Sequence, residues 1–187
     1  MKLLPTASQT VGPYLHIGLA WLTIDRVAAP GCPGQHLKVR GRVLDGDGVL
    51  VTDALVEIWQ ADAHGRYAHP EDTREVPLTP GFRGFGRVPT DGNGRYRFFT
   101  IKPGPVADSQ GGLQAPHLVV SVFMRGLLKR LVTRVYFPDE PRNADDRVLR
   151  LVPAERRGTL VARKTASDQL EWNIILQGDG ETVFFDC

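Results

Sequence analysis

Alternation of apolar and polar residues, broken by turn chemistry, constrains this chain more than any other feature. Through His36–Asp45 (HLKVRGRVLD) the two classes alternate with the period of a half-buried β-strand. Ala54–Gln60 (ALVEIWQ) sets Val56, Ile58 and Gln60 on one face and Leu55, Glu57 and Trp59 on the other. Phe82–Pro89, Arg95–Ile101, His117–Arg125, Arg130–Phe137, Thr159–Arg163 and Leu170–Gln177 read as further strands. The 20 glycines and 14 prolines are spread along the chain, as many short strands joined by tight turns require. Asp45-Gly-Asp-Gly48 supplies one turn. Asp91-Gly-Asn-Gly94 is the clearest hairpin signal, joining Phe82–Pro89 to Arg95–Ile101. No long stretch repeats strongly at 3.6 residues. The predicted fold is all-β: an antiparallel β-sandwich with long loops and an extended N-terminal arm.

Three segments break the pattern. Residues 1–19 are apolar but carry Pro5, Gly12 and Pro13, which suits an arm wrapped over another surface. Ala61–Gly81 is polar and turn-rich. Residues 102–116 (KPGPVADSQGGLQAP) form a loop long enough to suggest function. At 187 residues, one domain spanning 1–187 is expected, with a sizeable core. A net charge of +2 does not call for a nucleic-acid partner. No apolar run is long enough for a membrane span, and the N-terminus lacks the apolar core of a signal peptide. Cys32 and Cys187 give neither a disulfide framework nor metal-ligand spacing, so a cytoplasmic chain with free thiols is expected.

Candidate chemistry is sparse. Of the five histidines, His16, His36, His64, His69 and His117, only His117 stands on an apolar strand. An H-x-H pair there would place two imidazoles on one face, but the residue two positions on is Val119. A mononuclear metal site needs three or four converging donors. No serine or cysteine nucleophile motif and no phosphate-binding loop is present.

Four phrases are distinctive together: Ser8–Gly18 (SQTVGPYLHIG), Glu57–Tyr67 (EIWQADAHGRY), Asp91–Pro105 (DGNGRYRFFTIKPGP) and Thr133–Pro138 (TRVYFP). In combination they resemble the intradiol ring-cleavage dioxygenases over nearly the whole chain. The opening, and the ending GDGETVFFDC, are most similar to the alpha chains of the heteromeric branch that cleaves protocatechuate. The resemblance implies a β-sandwich and a ferric site held by two tyrosines and two histidines. The first tyrosine position matches Tyr67 and the first histidine matches His117. The second tyrosine and second histidine positions hold Val106 and Val119, and an arginine position holds Gln114. The implied chain therefore has no catalytic residues and no metal of its own, only the degenerate ligand positions Tyr67, Val106, His117 and Val119.

In that branch an iron-bearing beta chain is the catalytic partner, and the alpha chain lines its pocket. The resemblance assigns the substrate-facing role to Thr10, Gly12 and Pro13 in the arm and to Arg125 in FMRG. A guanidinium there suits an anionic carboxylate. The plainer readings are a surface arginine capping a hairpin, a Gly-Pro bend, and Arg130 and Arg134 serving a subunit contact or solvent. Two other functions compete. One is a non-enzymatic scaffold. The other is a self-sufficient enzyme in which Tyr14, Tyr96 or Tyr136 supplies the missing phenolate.

Overall fold

The alternating runs become the strands of two packed sheets in the computed structural model, which describes residues 6–108 and 110–186 without the His16 side chain. The first five residues of the arm, Ser109 of the long loop and Cys187 lie outside it. The strands are β1 (His36–Leu44), β2 (Leu55–Trp59), β3 (Phe85–Pro89), β4 (Arg95–Ile101), β5 (Val106–Ala107), β6 (Leu113–Gln114), β7 (His117–Phe123), β8 (Leu131–Tyr136), β9 (Arg163–Ala166), β10 (Gln169–Glu171) and β11 (Ile174–Ile175). One sheet runs β3-β2-β7-β8, antiparallel throughout. In the other, β1 pairs antiparallel with β4 and parallel with both β10 and β11, while β9 lies antiparallel to β10. The sandwich is thus as expected, with two short parallel pairings added.

The inward residues of both sheets make one core. Val39 and Val43 of β1, Val56 and Ile58 of β2, Phe98 of β4, and Leu118, Val120 and Val122 of β7 are all buried in it. The outward positions of β1 and β4 stay in solvent or half-buried, as the alternation read from the sequence requires, except Ile101 at the end of β4, which is buried against Ala28 and Cys32.

Four local expectations are corrected. The Asp91–Gly94 turn forms, with Asp91 Oδ1 accepting from the Asn93 and Arg95 amides at 2.8 and 2.9 Å. It does not close a hairpin within one sheet: β3 pairs with β2 and β4 with β1, so the turn crosses between sheets. Thr159 and Leu160 end a 3-10 run (Ala154–Leu160) instead of starting a strand, and Leu170–Gln177 is split at Trp172 and Asn173. The arm is not extended throughout. Pro13 opens a short helix α1 (Pro13–Leu19), followed by a 3-10 turn, Ala20–Leu22. Among the described residues no helix is long and apolar enough to cross a membrane.

Candidate functional site

The two loops that carry HGRY and KPGP meet. Gly65 of HGRY has φ +81°, and a Cβ there would lie 2.1 Å from the Pro105 carbonyl oxygen. Gly104 N–H donates to the Asp62 carbonyl at 2.8 Å, so the KPGP loop lies directly on HGRY. Asp62 is fully buried and holds its own loop. Its Oδ1 accepts from the His64 and Arg66 amides, both at 2.9 Å, and its Oδ2 from the Thr79 hydroxyl at 2.6 Å. Tyr67 emerges half-buried, its ring stacked on Trp59 at 5.7 Å. Its amide donates to Asp72 Oδ2 at 2.8 Å.

The strands complete the arrangement by register. Trp59 pairs with Val119, Val119 with Arg134, and His117 with Tyr136. The long loop is not structureless: β5 and β6 pair in it, which sets Val106 opposite Gln114. Gln114 Oε1 then accepts a hydrogen bond from Arg134 Nη1 at 2.7 Å. Arg134 therefore turns, half-buried, toward Gln114 and the positions matched to the family's ligands. The sequence reading missed this because the register of β7 on β8 is needed to see it.

The charges bear this out. His117 is buried, and its Nδ1–H donates to the Ala115 carbonyl at 2.7 Å. Burial first, and then the nearby Arg134 cation, push its imidazole down to about 4. Burial raises the Tyr67 phenol, while Arg134 and Arg74 pull it back. Tyr136 is fully buried and its hydroxyl donates to Asp146 Oδ1 at 3.0 Å. Burial and then Asp146 hold that phenol above its ordinary range, against Arg134. Asp146 is a second residue that sequence reasoning missed. Its Oδ2 accepts from the Ala115 amide at 2.8 Å, and its Oδ1 caps the helix α2 (Arg147–Leu151) through the Leu149 amide at 2.8 Å.

The residues here do not fit a ferric ion. Tyr67 and His117 keep donor atoms, but Val106 and Val119 have none, and a trivalent ion would meet the Arg134 cation. Among the described residues no three His, Cys, Asp or Glu side chains are grouped to hold a metal. The substitute phenolates fare no better. Tyr14 is exposed on α1, Tyr96 is buried with its hydroxyl on the Trp172 carbonyl at 2.6 Å, and Tyr136 is tied to Asp146.

The residues assigned to substrate lie elsewhere. β7 runs from His117 to Phe123, about 20 Å at the rise of a strand, and Arg125 lies past its far end. Gly126 N–H donates to Thr10 Oγ1 at 2.7 Å, fastening the arm to the turn that carries Arg125. Gly12 caps α1 and Pro13 begins it, so Thr10, Gly12 and Pro13 continue this same surface. Arg125 Nε donates to Asp53, and the side chain is 65% exposed.

Comparison with known proteins gives consistent results. A family model described as Dioxygenase matches residues 23–178. The chain is 42% identical to the protocatechuate 3,4-dioxygenase alpha chain of Pseudomonas putida, over all of this chain and 98% of that one. It is 40% identical to the beta chain of the same enzyme from Burkholderia cepacia, over 80% of this chain and 67% of that one. Among solved structures, catechol 1,2-dioxygenase from Acinetobacter sp. ADP1 shares the fold at a TM-score of 0.63 and 22% identity, covering 87% of this chain and 60% of that one.

Proposed function

The chain belongs to the intradiol ring-cleavage dioxygenases, and on that premise we propose that it serves as the alpha subunit of a protocatechuate 3,4-dioxygenase. With its beta chain partner it takes part in the reaction of 3,4-dihydroxybenzoate with O₂ to 3-carboxy-cis,cis-muconate. The proposal gives the ferric ion to the beta chain, where it supplies the activation of catecholate toward O₂. This chain contributes a wall of the pocket: Thr10, Gly12 and Pro13 from the arm, with Arg125 offering a cation to the substrate carboxylate. Residues 1–187 act in it as one domain, a reading that the core shared by the two sheets supports. The proposed setting is the cytoplasm, which accords with the free, buried thiol of Cys32.

The observation that carries the proposal is the pair of donorless positions, Val106 and Val119, beside Arg134 in a chain that matches alpha chains end to end. In the proposal, the surface at the far end of β7 faces the substrate of a metal held by the beta chain. The test is co-expression with the beta chain. Turnover of protocatechuate should require both chains, with this chain alone inactive. Full activity of the beta chain without it, unchanged on adding it, would assign it to the scaffold reading instead.

A further inference from the structure

The solvent face of the five-stranded sheet carries a row of cations, two of which, Lys38 and Arg97, lie over the Phe99 ring. β1 presents Lys38, Arg40 and Arg42 at alternate positions, and β4 presents Arg95 and Arg97. The register sets Arg40 opposite Arg97 and Arg42 opposite Arg95. Like charges directly opposite on neighbouring strands weaken a sheet, and an acidic residue at either position would strengthen it. Local relief is partial. Arg40 lies 3.5 Å from Glu171 and Arg97 4.0 Å from Asp25; among the described residues Arg42 and Arg95 make no direct ion pair, though after the Arg95 and Asn93 amides both help hold the exposed Asp91 carboxyl below its ordinary range.

These side chains line an open cleft of about 830 Å³. Thr23 and Asp25, on its wall, directly follow the helical segment that exposes Tyr14, Ile17 and Trp21 at 81, 66 and 80%. Apolar side chains beside a charged border are the composition of a protein interface.

We propose that this basic cleft is an assembly surface that takes an acidic segment of the beta chain, an inference that rests on the alpha-subunit reading above. The interspersed carboxylates argue for a protein occupant. Asp25, Asp91 and Glu171 stand among the arginines, where they would repel a phosphate backbone but pair with basic residues on a mixed protein surface. The spacing agrees. Cations alternate along a strand at about 7 Å and across strands at about 5 Å, within reach of carboxylates on one face of a partner helix or strand.

Arg42→Glu tests it, because fold and assembly respond in opposite directions. In the isolated full chain the change replaces a like-charge pair with an opposite one, so the melting temperature should rise by roughly 1–3 °C. In the alpha–beta complex, followed by mass photometry from 50 to 300 mM NaCl, the dissociation constant should increase about tenfold at low salt. The salt dependence seen with the wild-type chain should shrink. Unchanged affinity and salt slope in an active complex would overturn the inference and leave the alpha-subunit reading standing. Failure of the wild-type chain to join the beta chain at any salt would overturn that reading itself. Loss of heparin retention in Arg42→Glu with assembly unaltered would assign the face to a polyanion and also overturn the inference.

Discussion

Thr10 and Gly126 are joined across the fold: the Gly126 amide donates to the Thr10 hydroxyl oxygen at 2.7 Å. This bond ties the N-terminal arm to the turn after β7, where Arg125 is held through Nε by Asp53. The arm and the guanidinium therefore form one surface. The degenerate centre, with His117, lies at the other end of the same strand. Lesions at the two ends should separate cleanly.

Arg125→Ala in the assembled enzyme should raise KM for protocatechuate by roughly tenfold, the effect of one exposed charge-assisted contact. Assembly should be unchanged and kcat should fall less. Steady-state kinetics with protocatechuate and with catechol check this, because catechol lacks the carboxylate and should lose little.

Thr10→Val keeps the shape of the side chain and removes the acceptor. The Gly126 amide then loses its partner, at a cost of about 1 kcal/mol. Hydrogen exchange should quicken at Gly126 and along the arm. KM should rise only a few-fold, because Asp53 still holds Arg125. Exchange at Gly126 equal to the wild type would show that the contact contributes nothing.

His117 makes stability depend on acid. Its folded imidazole titrates at about 4, below the 6.5 of a free histidine. Between those values the unfolded chain binds the extra proton, so stability is complete above 6.5 and falls as pH drops toward 4. The loss is of order 3 kcal/mol. Melting curves across this window should show a shallower decline for His117→Gln than for the wild type.

Arg134→Met removes the cation from the degenerate centre. The His117 imidazole should then titrate higher, though still below 6.5, because burial is the larger cause of its depression. NMR titration of the ring protons reads this directly. An unmoved His117 would place Arg134 too far away to act on the site.

Much of the sandwich was legible because strand period and turn chemistry are local. The faces of β2 and the limits of β4 follow from the side chains alone. What failed was pairing. Asp91–Gly94 has hairpin chemistry, yet Arg95–Ile101 finds its partner in β1, more than fifty residues earlier. The parallel pairing of β1 with β10 and β11 leaves no local mark either. α1 was missed because seven residues with Pro13 at the start and Gly18 inside carry too little periodicity. At the degenerate centre, Val106 and Val119 stood out in the sequence against the family's pattern. Arg134 did not, since it meets Gln114 and Val119 only once β5 has paired with β6 and β7 with β8. Asp146 was hidden for the same reason, as the start of a one-turn helix that returns under Tyr136.

Metal content tests the central claim most directly. The full chain, purified without its partner from iron-supplemented cells, should contain no stoichiometric iron and show no visible phenolate-to-iron absorption. The alpha–beta complex should carry about one ferric ion per pair and show that absorption. One ferric ion per isolated chain, with the phenolate band present, would contradict the account.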